Sequence, residues 1–135
     1  MTAEVLYQGD LRTVAKHIQS NSTIETDAPI DNQGKGERFS PTDLVATALA
    51  SCMLTIMGIA ARNHGFDIEG THCTVEKIMA TEPRRIGAIN IRMQFPEGKT
   101  YDDKTKQIIE RAAMTCPVFE SLHPDLKKSI DFLWT

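Results

Sequence analysis

The hydrophobic and polar positions of the chain form short alternating stretches around one long uncharged one. Between Leu44 and Ala61 no residue is charged on any face, and a helix that is apolar all round is a buried helix. Its ends carry start and stop signals. Ser40 is a preferred N-cap, Pro41 suits the first helical position, and Asp43 places negative charge in the first turn. Arg62 and His64 fall in the last turn, and Gly65 can close the helix in the left-handed conformation. The stretch from Ser40 to Gly65 therefore reads as one helix, roughly 36 Å long at about 1.5 Å per residue. Burying it on every side is expected to take more than one copy of the chain. An apolar run of this length also fits a membrane span. Thr47, Ser51, Cys52 and Thr55 dilute it, and no Trp or Tyr marks its ends, so a core helix is the expected reading.

The flanking patterns are shorter. Glu4 to Tyr7 and Leu11 to Ile18 read as a hairpin about Gln8-Gly9-Asp10, with Ser22 to Thr26 as a third strand. Asp27 to Arg38 is a loop by composition, either the wall of a site or a solvated connector. Phe66 to Ala80 is strand-like with a bend or bulge at Gly70, and Glu82 to Arg85 is a turn. Ile86 to Phe95 alternates, with Ile89, Ile91, Met93 and Phe95 on one face. Asp102 to Met114 is an amphipathic helix with a stripe of Ile108, Ile109, Ala112 and Ala113. Thr115 or Cys116 is placed to cap a short helix opened by Pro117. Leu126 to Trp134 closes as a strand. Grouped strands and grouped helices predict an α+β domain over residues 1–135, with helices on one face of antiparallel sheets.

Composition narrows the chemistry. The chain has 135 residues and a net charge of −3. No basic block points to nucleic acid. Met1 to Gln8 lacks the basic start and apolar segment of a cleavable leader. Three cysteines without such a leader do not read as a disulfide framework. A cytoplasmic protein with reduced, reactive thiols is expected. Cys116 at a helix N-terminus is expected to favour the thiolate. Cys52, inside an apolar helix, is either core filler or, beside a cation, a nucleophile. Cys73 reads as filler. There is no Cys-x-x-Cys, and His64, His72 and Cys73 form no ligand set on a recognisable scaffold. The segment GKGERFSPT lacks the spacing of a phosphate loop, and no G-x-S-x-G occurs. Neither a metal nor a cofactor is expected.

Two segments carry a resemblance. SPTDLVATALASCM, residues 40–53, resembles the helix opening of the OsmC/Ohr family, where Asn-Pro-Glu-x-Leu leads through small and apolar residues to Ala-Cys. Thr115-Cys116-Pro117-Val118 resembles the family's second Cys-Pro at a helix start. The order of elements also fits, and the stretch from Asp27 to Met53 looks most like an uncharacterised branch of the family. The resemblance implies an intertwined homodimer with long helices at its centre and a thiol-dependent peroxidase acting on organic hydroperoxides. Cys52 would be the peroxidatic thiolate. Cys116 would condense with its sulfenic acid to a disulfide, and an external dithiol would reduce that bond. An arginine from the N-terminal strands would stabilise the thiolate and orient the peroxide. Arg12 is the first choice for it, and Arg38 the second. The family Glu that pairs with this arginine falls at Thr42 here, which leaves Asp43 as the nearest carboxylate along the helix. Arg38, Thr42 and Met53 are expected at the substrate. The same fold used to bind a small apolar ligand, with little or no turnover, is the alternative.

Overall fold

The computed structural model describes every residue from Met1 to Thr135. The chain divides into two compact units, Met1–Val45 and Ala46–Thr135.

The first unit is built on a three-stranded antiparallel sheet of β1 (Ala3–Gly9), β2 (Arg12–His17) and β3 (Thr23–Asp27), in that order. The β1–β2 turn places Asp10 and Leu11 at φ 52° and 62°, the paired left-handed conformation whose twist suits a tight hairpin. In the second pairing Arg12 stands directly opposite Asp27. A single 3₁₀ turn, Ile30–Asn32, interrupts the polar loop that follows. No apolar side chain of this unit is fully buried; its buried residues are Thr26, Asp27 and Ser40.

Helix α1 spans Pro41–His64. Ser40 Oγ accepts the Asp43 N–H at 3.0 Å, and Asp43 Oδ2 accepts the Ser40 N–H at 3.0 Å. This reciprocal pair satisfies two backbone donors at the helix start. Ser40 is only 1% exposed, so water cannot replace its hydroxyl freely. Ser40→Ala is expected to lower stability by about 1 kcal/mol, and Ser40→Thr to retain most of it. Urea unfolding checks this as a lower midpoint with an unchanged slope; an unchanged midpoint would contradict the role of the cap. At the other end Gly65 takes φ 77° and its N–H bonds to Ala61 O, as the stop signals predict.

Within one chain α1 is not buried on all sides. Ala46, Leu49, Ala50, Met53, Met57 and Ala61 form a buried stripe, while Thr47, Ala48, Ser51, Thr55 and Ile59 are exposed. The lack of charge marked a helix with no face committed to water, and one chain covers only one of those faces. By length and composition α1 could cross a membrane, but its buried stripe belongs to the hydrophobic core.

The second unit contains β4 (His72–Ala80), β5 (Arg85–Gln94), α2 (Asp103–Met114), α3 (Pro117–Ser121) and β6 (Lys127–Leu133). Its sheet has the order β4-β5-β6. β4 is shorter than the sequence pattern predicts, because Gly70 at φ 91° bends the chain and the Thr71 hydroxyl bonds back to Ile68 O. β5 and β6 pair parallel, not antiparallel. The two intervening helices supply the crossover that parallel pairing needs. Asp102 caps α2 by accepting the Thr105 N–H at 2.8 Å. Ile89, Ile91, Met93 and Phe95 are all buried to within 1% of complete, as their alternation predicts. Phe95 stacks on Trp134 with ring centres 4.2 Å apart and meets the edge of Tyr101 at 5.7 Å.

Candidate active site

In the second unit two thiols far apart in the sequence come together. Cys52 lies on α1 beside the buried stripe and is partly exposed. Cys116 is the N-cap of α3; its Sγ accepts the Phe119 N–H at 3.3 Å, and Pro117 begins the helix. The residue is 0% exposed. Its thiol lies near enough to that of Cys52 for the two to influence one another's ionisation, and both are reduced.

The expectation of a Cys116 thiolate is corrected by its surroundings. Burial is the strongest influence and raises the thiol's pKa; the Phe119 N–H pulls the other way, and Cys52 adds to the rise. A five-residue helix offers too little of a dipole to reverse that order. Cys116 is therefore a protonated thiol at neutral pH. Cys73 lies on β4 opposite Met93, and burial pushes its pKa up to about 11. It stays an unreactive thiol at neutral pH, in keeping with the filler reading.

The first unit holds a separate charged cluster. Arg12 Nε donates to Asp27 Oδ1 at 2.7 Å and Nη2 to Asp27 Oδ2 at 2.8 Å. Glu37 Oε1 lies 3.6 Å from Nη2. Asp27 is 1% exposed and also accepts the Glu37 N–H at 3.2 Å. Arg38 Nε lies 3.5 Å from Glu25 Oε1, and Arg38 donates to Glu37 O at 3.0 Å. Asp43 Oδ2 closes the helix start by accepting the Ser40 N–H. Thr42 Oγ1 lies 3.2 Å from Ser40 Oγ. Met53, expected at the substrate, is wholly buried in the stripe with Leu49 and Met57. Sequence reading missed Asp27 and Glu37 by assigning both to the loop. The signal lay in the hairpin register, which sets Asp27 across from Arg12.

The bond from Arg12 holds the Asp27 carboxyl below its ordinary 3.8. A carboxylate depressed in the folded state contributes stability above its unfolded pKa and loses it as pH falls through the folded value. Asp67, bonded to Lys99, and Asp102, the α2 cap, are depressed as well. Thermal stability is thus expected to owe no loss to these groups between pH 8 and about 5 and to fall steeply only below about pH 4. Melting curves across this range check it; a fall centred near pH 5 would contradict it.

No group of three or more His, Cys, Asp or Glu side chains gathers to hold a metal. A surface cleft lined by Asp67, Lys99, Tyr101 and Thr105 contains neither paired thiol.

No curated protein matches the chain. Among solved structures, a protein from Psychrobacter arcticus 273-4, provisionally described as an osmotic stress induced and detoxification response protein, is 55% identical with a TM-score of 0.93, covering 98% of this chain and 95% of its own. An OsmC-like protein from Mycoplasma pneumoniae matches with a TM-score of 0.78 at 18% identity, over 96% of this chain and 93% of its own. An organic hydroperoxide resistance protein OsmC from Legionella pneumophila matches with a TM-score of 0.76 at 13% identity, over 98% and 97%. The last two show the shared α+β fold. The OsmC-like protein family model matches residues 34–130, a stretch that contains both paired thiols, and the chain belongs to that family.

Proposed function

We propose that the protein is a thiol-dependent peroxidase that reduces organic hydroperoxides. The observation that carries this reading is the pairing of a partly exposed Cys52 with a fully buried Cys116. Exposure supports the roles in this reading: the accessible thiol meets the peroxide, and the buried one resolves. A Cys52 thiolate attacks the distal peroxide oxygen, the O–O bond breaks, and the leaving alkoxide takes a proton to become an alcohol. Cys52 is then a sulfenic acid. The Cys116 sulfur displaces its oxygen as water, forming the Cys52–Cys116 disulfide. An external dithiol reduces that bond by exchange and leaves oxidised itself. Arg12 is assigned to thiolate stabilisation and peroxide orientation on the family resemblance. The Legionella pneumophila relative is named for organic hydroperoxide resistance, which is in keeping with this substrate.

The homodimer belongs to the same proposal. The sheet of the first unit exposes Val5, Leu6, Tyr7 and Ile24, and α1 exposes Val45 and Ile59. A three-stranded sheet needs a buried apolar face for stability, and a second copy is the proposed cover. Light scattering on the eluting protein is expected to give twice the chain mass.

Turnover tests the function. With cumene hydroperoxide and a lipoyl-type dithiol, consumption is expected to be one for one and at least about 10-fold faster than with hydrogen peroxide, since apolar contacts add to the barrier difference. Consumption no faster than that of a free thiol would overturn it.

A further inference from the structure

We propose that the outward face of the second unit's sheet holds a binding site for a small apolar monocarboxylate, with Arg92 as its anion-binding residue. The site goes beyond the peroxidase reading and does not depend on it. Side chains alternate across a strand. Cys73 and Met93 stand opposite each other and pack into the core, where Met93 is wholly buried. His72 and Thr74 on β4 and Arg92 and Gln94 on β5 therefore share the other face, and all four are exposed. The register sets His72 across from Gln94 and Thr74 across from Arg92, with the Cβ atoms of such pairs roughly 4.5–5.5 Å apart. These four side chains, with Leu133 beside Gln94 on β6, line a surface cleft of about 320 Å³.

The lining sets the class of ligand. It supplies a guanidinium, an imidazole, a hydroxyl, an amide and one apolar side chain, and no carboxylate. The one carboxylate of β4, Glu76, is held by Asn90 Nδ2 at 2.8 Å, one step along the same face from Arg92. Asp131 stands opposite Arg92 on β6 but outside the lining, and it offsets part of the guanidinium charge. A monoanion suits that balance better than a phosphate dianion. A carboxylate also matches the planar guanidinium fork with two parallel bonds, and Leu133 gives its carbon body an apolar wall. The cleft beside α2 lacks these features: Lys99 there is bonded to Asp67 Oδ2 at 2.8 Å, and Asp67 and Asp102 both line it. The volume at Arg92 is at the small end of ligand sites, which fits a short ligand.

Benzoate is the probe, followed by backbone amide and arginine Nε–H NMR signals of the full-length protein. Saturable shifts are expected at Thr74, Arg92, Gln94 and Leu133, with a midpoint at or below about 10 mM for a ligand of this size. Benzamide, similar in shape but uncharged, is expected to shift none of them. Arg92→Gln is expected to weaken benzoate binding at least about 10-fold, as loss of a hydrogen bond to a charged group does. Arg92→Lys is expected to recover only part of it, since an ammonium has no fork. Shifts that grow without saturating, benzamide binding as well as benzoate, or unchanged affinity in Arg92→Gln would each overturn the proposal. Tighter binding of phenyl phosphate than of benzoate would overturn the carboxylate class. Should Arg92→Gln fail to fold, the comparison of benzoate with benzamide on the wild-type protein decides. Peroxide turnover enters none of these readouts, so the peroxidase reading can fail while this site stands.

Discussion

Cys52→Ser is expected to slow hydroperoxide consumption by on the order of 10³-fold or more, while Cys116→Ser leaves one fast turnover and then stalls. The difference follows from the positions of the two sulfurs. Cys52 is the partly exposed member of the pair, and Cys116 is closed off at the start of α3. A serine at position 52 has no thiolate to offer, so the first step is lost. A serine at position 116 keeps an N-cap for Phe119, since a hydroxyl caps as well as or better than a thiol. The fold of α3 survives, and only the resolving step is missing. Rapid mixing with cumene hydroperoxide should show a burst of about one equivalent per chain in Cys116→Ser. Full multiple turnover in Cys52→Ser would remove the assigned nucleophile.

The largest effect on stability is expected from Phe95→Ala, about 3–5 kcal/mol, or roughly 10–20 °C in melting temperature for a chain of this length. Phe95 is 1% exposed just past the end of β5, stacks on Trp134 and meets the edge of Tyr101. Its N–H also bonds to Leu133 O, at the end of β6. Removing the ring leaves a cavity and strips one face from Trp134. The closing strand is thereby loosened where the chain ends. Circular dichroism in urea measures the loss without relying on Trp134 fluorescence, which the substitution itself alters. A cost below about 1 kcal/mol would mean that the aromatic cluster is not a structural anchor.

Local chemistry made most of the fold legible. Ser40, Pro41, Arg62, His64 and Gly65 mark the ends of α1, and the alternation from Ile89 to Phe95 marks the buried face of β5. These signals act over a few residues and need no tertiary information. The parallel pairing of β6 was not legible, because strand direction depends on where the chain returns after α2 and α3. The bend at Gly70 cut β4 short for a similar reason: a tolerant backbone position does not announce how far the turn extends. The reciprocal cap shows the same limit at the site. Asp43 is the nearest carboxylate to the Thr42 position along the chain, and its Oδ2 accepts the Ser40 N–H. Asp27 is farther from Thr42 in sequence, and only the register of β2 against β3 brings it to Arg12. The pairing of Cys52 with Cys116 came from the resemblance and not from periodicity, since no local pattern links the middle of α1 to the start of α3.

One measurement bears most directly on the central claim. The reduced protein is mixed with one equivalent of cumene hydroperoxide, and its peptides are mapped by mass without reduction. The account predicts an intrachain disulfide joining Cys52 to Cys116, two hydrogens lighter than the reduced pair, with Cys73 still a free thiol. A Cys52 that remains reduced, or a disulfide that includes Cys73, would contradict it.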